Sequence, residues 1–368
     1  MLRKNENYYG EPDYAVAPGS LILESLDSLG MTQRELGIRL GLTPKTINGI
    51  IKGRAPVPPR LAEALASVLG ASAVFWLNME AQYRADLIRI KNKTIKQPDS
   101  EKKIASLLPY NEMVQKNWVP PTRKCDERVL NLRGFFRVAS LENIEKLGMA
   151  ANFRARTNGS PMYAQLAWLQ QGENLASQMT VGSFSLQKLK DSLPLLRQLT
   201  LHDADKCVFD RMREICADCG VSLVFLPHLK GTGICGAMLW LKQERPLIIL
   251  SAHGKRHDIF WFTFFHELGH ILLRHQKKSL FVSFERDGKD FTPENAKQEG
   301  EADIFAQDVL ISAEDWRSLI ASTLTDEDIL DFAEKIKIHR GIVFGRMAKE
   351  GFRSWSKVEN FRVKIEIQ

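Results

Sequence analysis

Long apolar runs are missing from this sequence. No uninterrupted stretch approaches the roughly 20 residues that a membrane-crossing helix needs. The opening MLRKNENYYGEPDYAVAPG carries no apolar core of the kind a secretory signal has. Cysteine is scarce: five in 368 residues, Cys125, Cys207, Cys216, Cys219 and Cys235, an odd and scattered set. That argues against a disulfide-stapled secreted scaffold, and the expectation is reduced thiols in a cytoplasmic protein with no membrane partner. Strong charge of one sign is absent too. Lys and Arg total 51 against 44 Asp and Glu, a net charge of +7, which is compatible with a nucleic-acid partner without demonstrating one. With 44% hydrophobic and 26% charged residues, the composition is that of a soluble globular protein. The length allows two or three domains.

What is present is concentrated between Trp261 and Ile271, WFTFFHELGHI. Inside lies H-E-x-x-H: His266, Glu267 and His270. On a helix, residues four apart share one face, offset by about 6 Å along the axis. Two imidazoles so placed can grip one metal ion, and zinc suits nitrogen ligands. Glu267 then stands where it can take a proton from a water held at the metal. Phe260, Trp261, Phe262, Phe264, Phe265, Leu268, Ile271, Leu272 and Leu273 surround the polar trio. Ionisable groups in so apolar a run need a compensating partner, which a metal supplies.

A third ligand is expected downstream, in KQEGEADIFAQDVLI, Lys297 to Ile311, which reads as a helix with Ala302, Phe305, Ala306, Val309 and Leu310 inward. Glu299 and Asp303 stand four apart on one face, so one can ligate while the other holds a ligand histidine by its second ring nitrogen. Glu301 competes with Glu299, and helical phase barely separates the two. The pair Cys216 and Cys219, with Cys207 and His202 upstream, offers a second zinc site. Against it, VFDRMREICADCG reads as an amphipathic helix closing at Gly220 with Cys216 in the core.

The N-terminal part, residues 18–87, reads as a five-helix package. Thr32 caps TQRELGIRLG, with Glu35 as capping-box partner, and Gly41 ends that helix. Thr43 caps TPKTINGIIKG, with Pro44 at the favoured first position. Two short helices joined through a Gly turn are a helix-turn-helix signature. The second, Thr43 to Ile51, turns Leu42, Ile47, Ile50 and Ile51 inward and Lys45, Thr46 and Asn48 outward, towards base edges or phosphates. Gln33, Lys52 and Arg54 are candidate phosphate contacts, and Thr43 stands at the same face. The expected partner is double-stranded operator DNA, read by a homodimer over two half-sites.

Residues 88–205 read as a basic linker followed by a helical middle domain. From residue 206 to the end an α+β part is expected. VSLVFLP, ICGAMLWL and PLIILS are three strands before the metal helix, with Ile234 to Leu241 as the edge that an extended substrate could join. Further helices follow, and VENFRVKIEIQ closes as a strand. His339 is the only other histidine placed to fold back over the site, as a donor to a developing oxyanion or as an ordinary loop residue. The fold class is thus mainly α with an α+β C-terminal part.

These residues resemble known families. From about Gly220, FWFTFFHELGHILL followed by EGEADIFAQDVLI is similar to the ImmA/IrrE zinc metallopeptidases. Their second motif, E-x-E/Q-A-N/D-x-F-A, is matched by Glu299, Glu301, Ala302, Asp303, Phe305 and Ala306. The usual L-L-M-P continuation is weakly kept as Val309, Leu310, Ile311 and Ser312. The stretch from APGSLILESLDSLGMTQRELGIRLG to VFWLNMEAQY resembles the HigA-type antitoxin branch of phage-repressor-like helix-turn-helix proteins. Together the resemblances cover somewhat over half the chain. They imply a small gluzincin-like domain with zinc on His266, His270 and Glu299, and Glu267 as general base. They further imply cleavage of a partner protein, a repressor or an antitoxin. The alternative is an antitoxin and autorepressor that binds its promoter and a toxin, its metal domain serving as sensor or scaffold.

Overall fold

The computed structural model describes residues 12–94, 96–147, 160–202, 206–242, 245–251, 256–275, 281–284, 293–321 and 325–365. The chain divides into two compact units, Met1–Gln97 and Pro98–Gln368. Among the described residues, no helix is long and apolar enough to cross a membrane.

The first unit holds five helices: α1 (Pro18–Ser28), α2 (Gln33–Leu40), α3 (Pro44–Ile51), α4 (Pro59–Leu69) and α5 (Ala73–Thr94). Its core is Ile22, Leu26, Leu36, Ile47, Ile50, Val57, Ala62, Leu65 and Trp76. Punctuation follows the residues expected to make it. Gly41 ends α2 in the left-handed region at φ 65°, and Thr43 accepts the Thr46 N–H at 3.2 Å to start α3. The capping box on α2 forms by half only. Thr32 accepts the Glu35 N–H, but the Glu35 carboxylate turns along the helix to Arg39 at 2.8 Å. The basic linker expected from residue 88 is helical through Thr94. Pairs within the helix, Arg84 with Glu80 and Arg89 with Asp86, support it, and no proline intervenes before Pro98.

In the second unit four strands form one sheet in the order β1 (Ser222–Phe225), β3 (Arg245–Leu250), β2 (Ile234–Lys242), β4 (Phe281–Phe284). β1 runs parallel to β3, while β2 is antiparallel to both β3 and β4. Side chains alternate across a strand, and here both faces are buried. Leu223, Phe225, Met238, Ile248 and Leu250 join the core around the helix His257–Leu272. Val224, Ala237, Leu239, Leu247, Ile249 and Val282 join a second core with the helices preceding the sheet. Burial on both sides explains why the strands read as continuous apolar runs.

Two expectations change. The stretch anticipated as a separate middle domain is a layer of this same unit. Its long helix, Ser160–Ala176, packs on the sheet, with Gly172 admitting Ile249 of β3. Three further helices, α6 (Asp99–Leu107), α7 (Tyr110–Gln115) and α8 (Cys125–Phe136), contribute to the core on that side. The second change concerns β2, expected at an edge: it lies inside the sheet, covered by β4. The strand expected at the C-terminus is represented by one bridge, Arg256 to Lys364, after a short helix Trp355–Val358, and residues 366–368 lie outside the described set.

The helix His257–Leu272 runs between the sheet and the helices after it, and both ends are fixed. At its start Asp258 accepts from both Nε and Nη2 of the Arg362 guanidinium, and the His257 N–H donates to Val363 O. An acid in the first turn also suits the helix dipole. At its end the His275 N–H donates back to His270 O at 3.1 Å. The acidic helix Pro293–Leu310 packs across it. The last carbonyls of that helix, Val309 O and Leu310 O, accept from Arg197, which also reaches Ile336 O and Lys337 O. One half-buried guanidinium thus caps two helices that would otherwise leave orphan carbonyls.

Candidate functional site

His266, Glu267 and His270 sit on a helix that is apolar nearly all round, and all three are buried. The acidic helix reaches them because the crossing is made of small residues. A Cβ on Gly269 would stand 3.0 Å from Phe305 Cδ1 and 3.3 Å from Ala302 Cα. Gly269 therefore sets the closest approach, and that approach carries Glu299 to the histidines. His266 Nε2 lies 3.0 Å from Glu299 Oε2 and 3.0 Å from His270 Nε2, and His270 Nε2 lies 3.7 Å from Glu299 Oε2.

Ligands about 2.0–2.1 Å from a tetrahedral zinc stand about 3.4 Å apart, so these spacings bracket what the ion requires. Two imidazole nitrogens and a carboxylate are also the donor types zinc prefers. The residues fit the metal. Among the described residues, this is the trio of His, Cys, Asp or Glu that could hold one. Among the described residues, no such group forms around Cys216 and Cys219. Cys216 is fully buried on its helix, and burial pushes its thiol up, away from the thiolate a metal needs.

The charges interlock. Burial alone would push the His266 imidazolium down, but hydrogen bonds with Asp303 and Glu299 outweigh it and hold its pKa up at about 10. Burial takes His270 the other way, to about 4, against the pull of Glu299 and with that of His266. Glu299 resists ionisation by burial, yet its hydrogen bonds with both imidazoles draw it down to about 2. The metal-free cluster therefore holds an anion and one proton where a cation would sit.

Asp303 Oδ1 lies 2.8 Å from His266 Nδ1, one turn from Glu299. Glu301 does not meet the trio; it lies 3.1 Å from Nε2 of His275. His275 is the histidine that folds back over the site, a place expected for His339. The structure does not bring His339 to the trio. It caps the helix Arg340–Lys349, accepting the Gly341 N–H at its Nδ1, and its ring lies on His257 with centroids 4.3 Å apart. His257 and His266 are nine positions apart on one helix, about 13 Å along the axis. An oxyanion at the trio is beyond its reach.

The Glu267 carboxylate lies against β2. A Cβ on Gly236 would stand 2.5 Å from Thr263 Cγ2 and 3.0 Å from Glu267 Oε1. The strand is bulged there, Ile234 pairing with Phe284 and Gly236 with Ser283. A glycine in an otherwise apolar strand was the available signal for this close approach.

In the first unit, Gln33, Lys45, Asn48, Lys52 and Arg54 are exposed, on or just after α2 and α3. Thr46 is half-buried and Thr43 is occupied as the cap of α3, its Oγ1 2.9 Å from that of Thr46. The two helices are held close at Gly37, whose Cβ would stand 3.0 Å from Leu42 O.

Comparison with known proteins finds likeness in two stretches of the chain. Residues 221–343 match the peptidase family described as IrrE N-terminal-like domain. Residues 22–76 match the family described as Helix-turn-helix. The HTH-type transcriptional regulator YddM of Escherichia coli strain K12 is 33% identical over 81 residues, which cover 20% of this chain and 86% of that protein. An addiction module antidote protein of the HigA family from Coxiella burnetii is similar at 23% identity and a TM-score of 0.21, over 23% of this chain and 98% of that one. Antitoxin HigA of Pseudomonas aeruginosa, solved with the higBA promoter, is similar at 21% identity and a TM-score of 0.21, over 23% and 97%.

Proposed function

The chain belongs to the helix-turn-helix regulators and carries an IrrE N-terminal-like peptidase domain, and from that premise we propose that it is a DNA-binding transcriptional regulator that hydrolyses a peptide bond in a partner regulatory protein, a repressor or an antitoxin. The observation that carries the reading is the convergence of His266, His270 and Glu299, with Glu267 on the neighbouring position of the same buried helix.

His266, His270 and Glu299 would hold zinc, which when bound polarises a scissile carbonyl and makes water more acidic. Glu267 accepts a proton as the water oxygen attacks the carbonyl carbon, and returns it to the leaving nitrogen as the C–N bond breaks. Asp303 accepts from His266 Nδ1–H and so keeps the Nε2 lone pair free for the metal. β4, as the sheet edge nearest the metal helix, is where an extended peptide would add as a further strand.

Incubation with candidate repressors encoded nearby is expected to yield one cleaved bond, read by mass spectrometry. A chelator should abolish the cut and added zinc restore it. Zinc-loaded protein that leaves every such repressor and antitoxin intact, with and without DNA, would sink the reading.

On the DNA side, Lys45, Thr46 and Asn48 would read bases, and Gln33, Lys52 and Arg54 would hold phosphates, in a pair of copies on two half-sites. Changing Lys52 and Arg54 to Ala should weaken binding alike on all sequences and flatten the log–log salt dependence by about 0.9 per lost contact. A binding isotherm series from low to moderate salt measures it. An unchanged slope would remove these two residues from the interface.

A further inference from the structure

We propose that His275 and Glu301 form a hydrogen-bonded relay that orients His270 and fixes its tautomer. Each histidine ligand is then backed by its own carboxylate, His266 directly by Asp303 and His270 through a second imidazole by Glu301. The inference rests on the reading of the trio as a metal site and assigns two positioning residues to it.

The relay begins with a turn. The metal helix ends at Leu272, and Arg274 adopts φ 56°, the left-handed region that reverses a chain at a helix end. The Arg274 N–H donates to Ile271 O and the His275 N–H to His270 O, so the chain returns over the last turn. That return sets Nδ1 of His275 2.8 Å from Nδ1 of His270, with both rings buried. Nitrogens at that distance need one proton between them.

Which nitrogen carries it follows from the site. His270 Nε2 is the atom that faces His266 Nε2 and Glu299, and a metal needs its lone pair. The His270 proton is therefore on Nδ1 and donates to His275 Nδ1. His275, accepting there, carries its own proton on Nε2, 3.1 Å from Glu301 Oε2. Every ring nitrogen then has one assigned role. Glu301 is half in solvent and also lies 3.8 Å from Lys297, so the relay ends at the protein surface. Three acids of one helix thereby divide the work: Glu299 faces the metal position, Asp303 backs His266, and Glu301 backs His270.

A plain helix-capping role for His275 is separable, because the cap is made by its backbone N–H, which any residue supplies. The test is the zinc dissociation constant of the full chain, by competition with a chromophoric chelator. His275→Ala should weaken zinc about 10–100-fold, the usual cost of losing an outer-shell partner. His275→Asn, whose side-chain oxygen can accept from His270 Nδ1–H but which ends short of Glu301, should lose only the several-fold that loss of Glu301 costs, well short of the alanine variant. Glu301→Ala, at the exposed end where packing is not at stake, should weaken zinc several-fold. The metal-free melting midpoint should barely move for Glu301→Ala, whereas the rise on adding zinc should shrink. Parent-like zinc affinity in both alanine variants would overturn the relay while leaving the metal site standing. A parent that binds no zinc would overturn both.

Discussion

Glu267→Gln is expected to keep about one zinc per chain and lose about 10²–10⁴-fold in cleavage rate, the range for removing a general base. Glu299→Ala is expected to lose both. The two differ in what their carboxylates touch. Glu299 Oε2 stands 3.0 Å from His266 Nε2 and belongs to the ligand set, whereas Glu267 lies against Gly236 of β2. Outer-shell partners alone are worth about 10–100-fold in metal affinity, so loss of a ligand should exceed about 100-fold. Metal analysis of the purified proteins, beside a cleavage assay on the repressor found for the parent, reads both. A Glu267→Gln protein that still cuts at the parent's rate would end the general-base role. Zinc retained in full by Glu299→Ala would end the ligand assignment.

The same cluster sets a pH dependence. The metal-free His266 imidazolium is held up at about 10, burial being outweighed by its hydrogen bonds with Asp303 and Glu299. At neutral pH an incoming cation must displace that proton, whereas His270, down at about 4, is already neutral. Protons therefore compete with the metal over the whole range below about 10. Zinc affinity should rise with pH, approaching about tenfold per unit, and fall on acidification. Competition titrations at several pH values would show it, and an affinity flat from pH 6 to 9 would contradict the proton on His266.

Much of this was legible before the structure, and for physical reasons. H-E-x-x-H is a short-range device: one helix fixes where its residues point, so spacing alone places His266, Glu267 and His270. The caps at Thr43 and Gly41 are equally local. Glu299 and Glu301 could not be separated from phase, because the answer depends on how two helices cross, and that is set by Gly269 against Ala302. His275 was invisible for a related reason. It lies beyond the helix, and its return rests on a left-handed Arg274 where a glycine would have announced the turn. The place of His339 was not legible, because the fold-back of a later helix is a long-range event that no local pattern encodes. The middle segment misled differently. Helical periodicity shows that a helix has an inner face, but not that the face lies on a sheet some sixty residues downstream, as Trp168 shows by donating to Pro227 O.

Gly269→Val should separate the helices and Gly300→Ala should not, although both glycines border the ligands. Gly269 is the contact point. Even a single Cβ there meets Phe305 at 3.0 Å and the backbone of Ala302 at 3.3 Å, and valine adds two methyl groups with nowhere to go. Overpacking of this kind costs about 1–3 kcal/mol. The acidic helix must give way, and Glu299 and Asp303 move with it. Zinc affinity should then fall by more than about tenfold, since both a ligand and the acid behind His266 are displaced. Gly300 lies between Glu299 and Glu301 on the acidic helix, and a Cβ there meets nothing within 4 Å. Alanine at that position should stabilise the helix by about 0.5–1 kcal/mol and leave zinc binding alone. Urea unfolding and zinc competition on the same two variants make the comparison. If Gly269→Val bound zinc as the parent does, the crossing could not be what delivers Glu299. If Gly300→Ala lost zinc, the acidic helix would have to be strained in a way that open space at Gly300 does not allow.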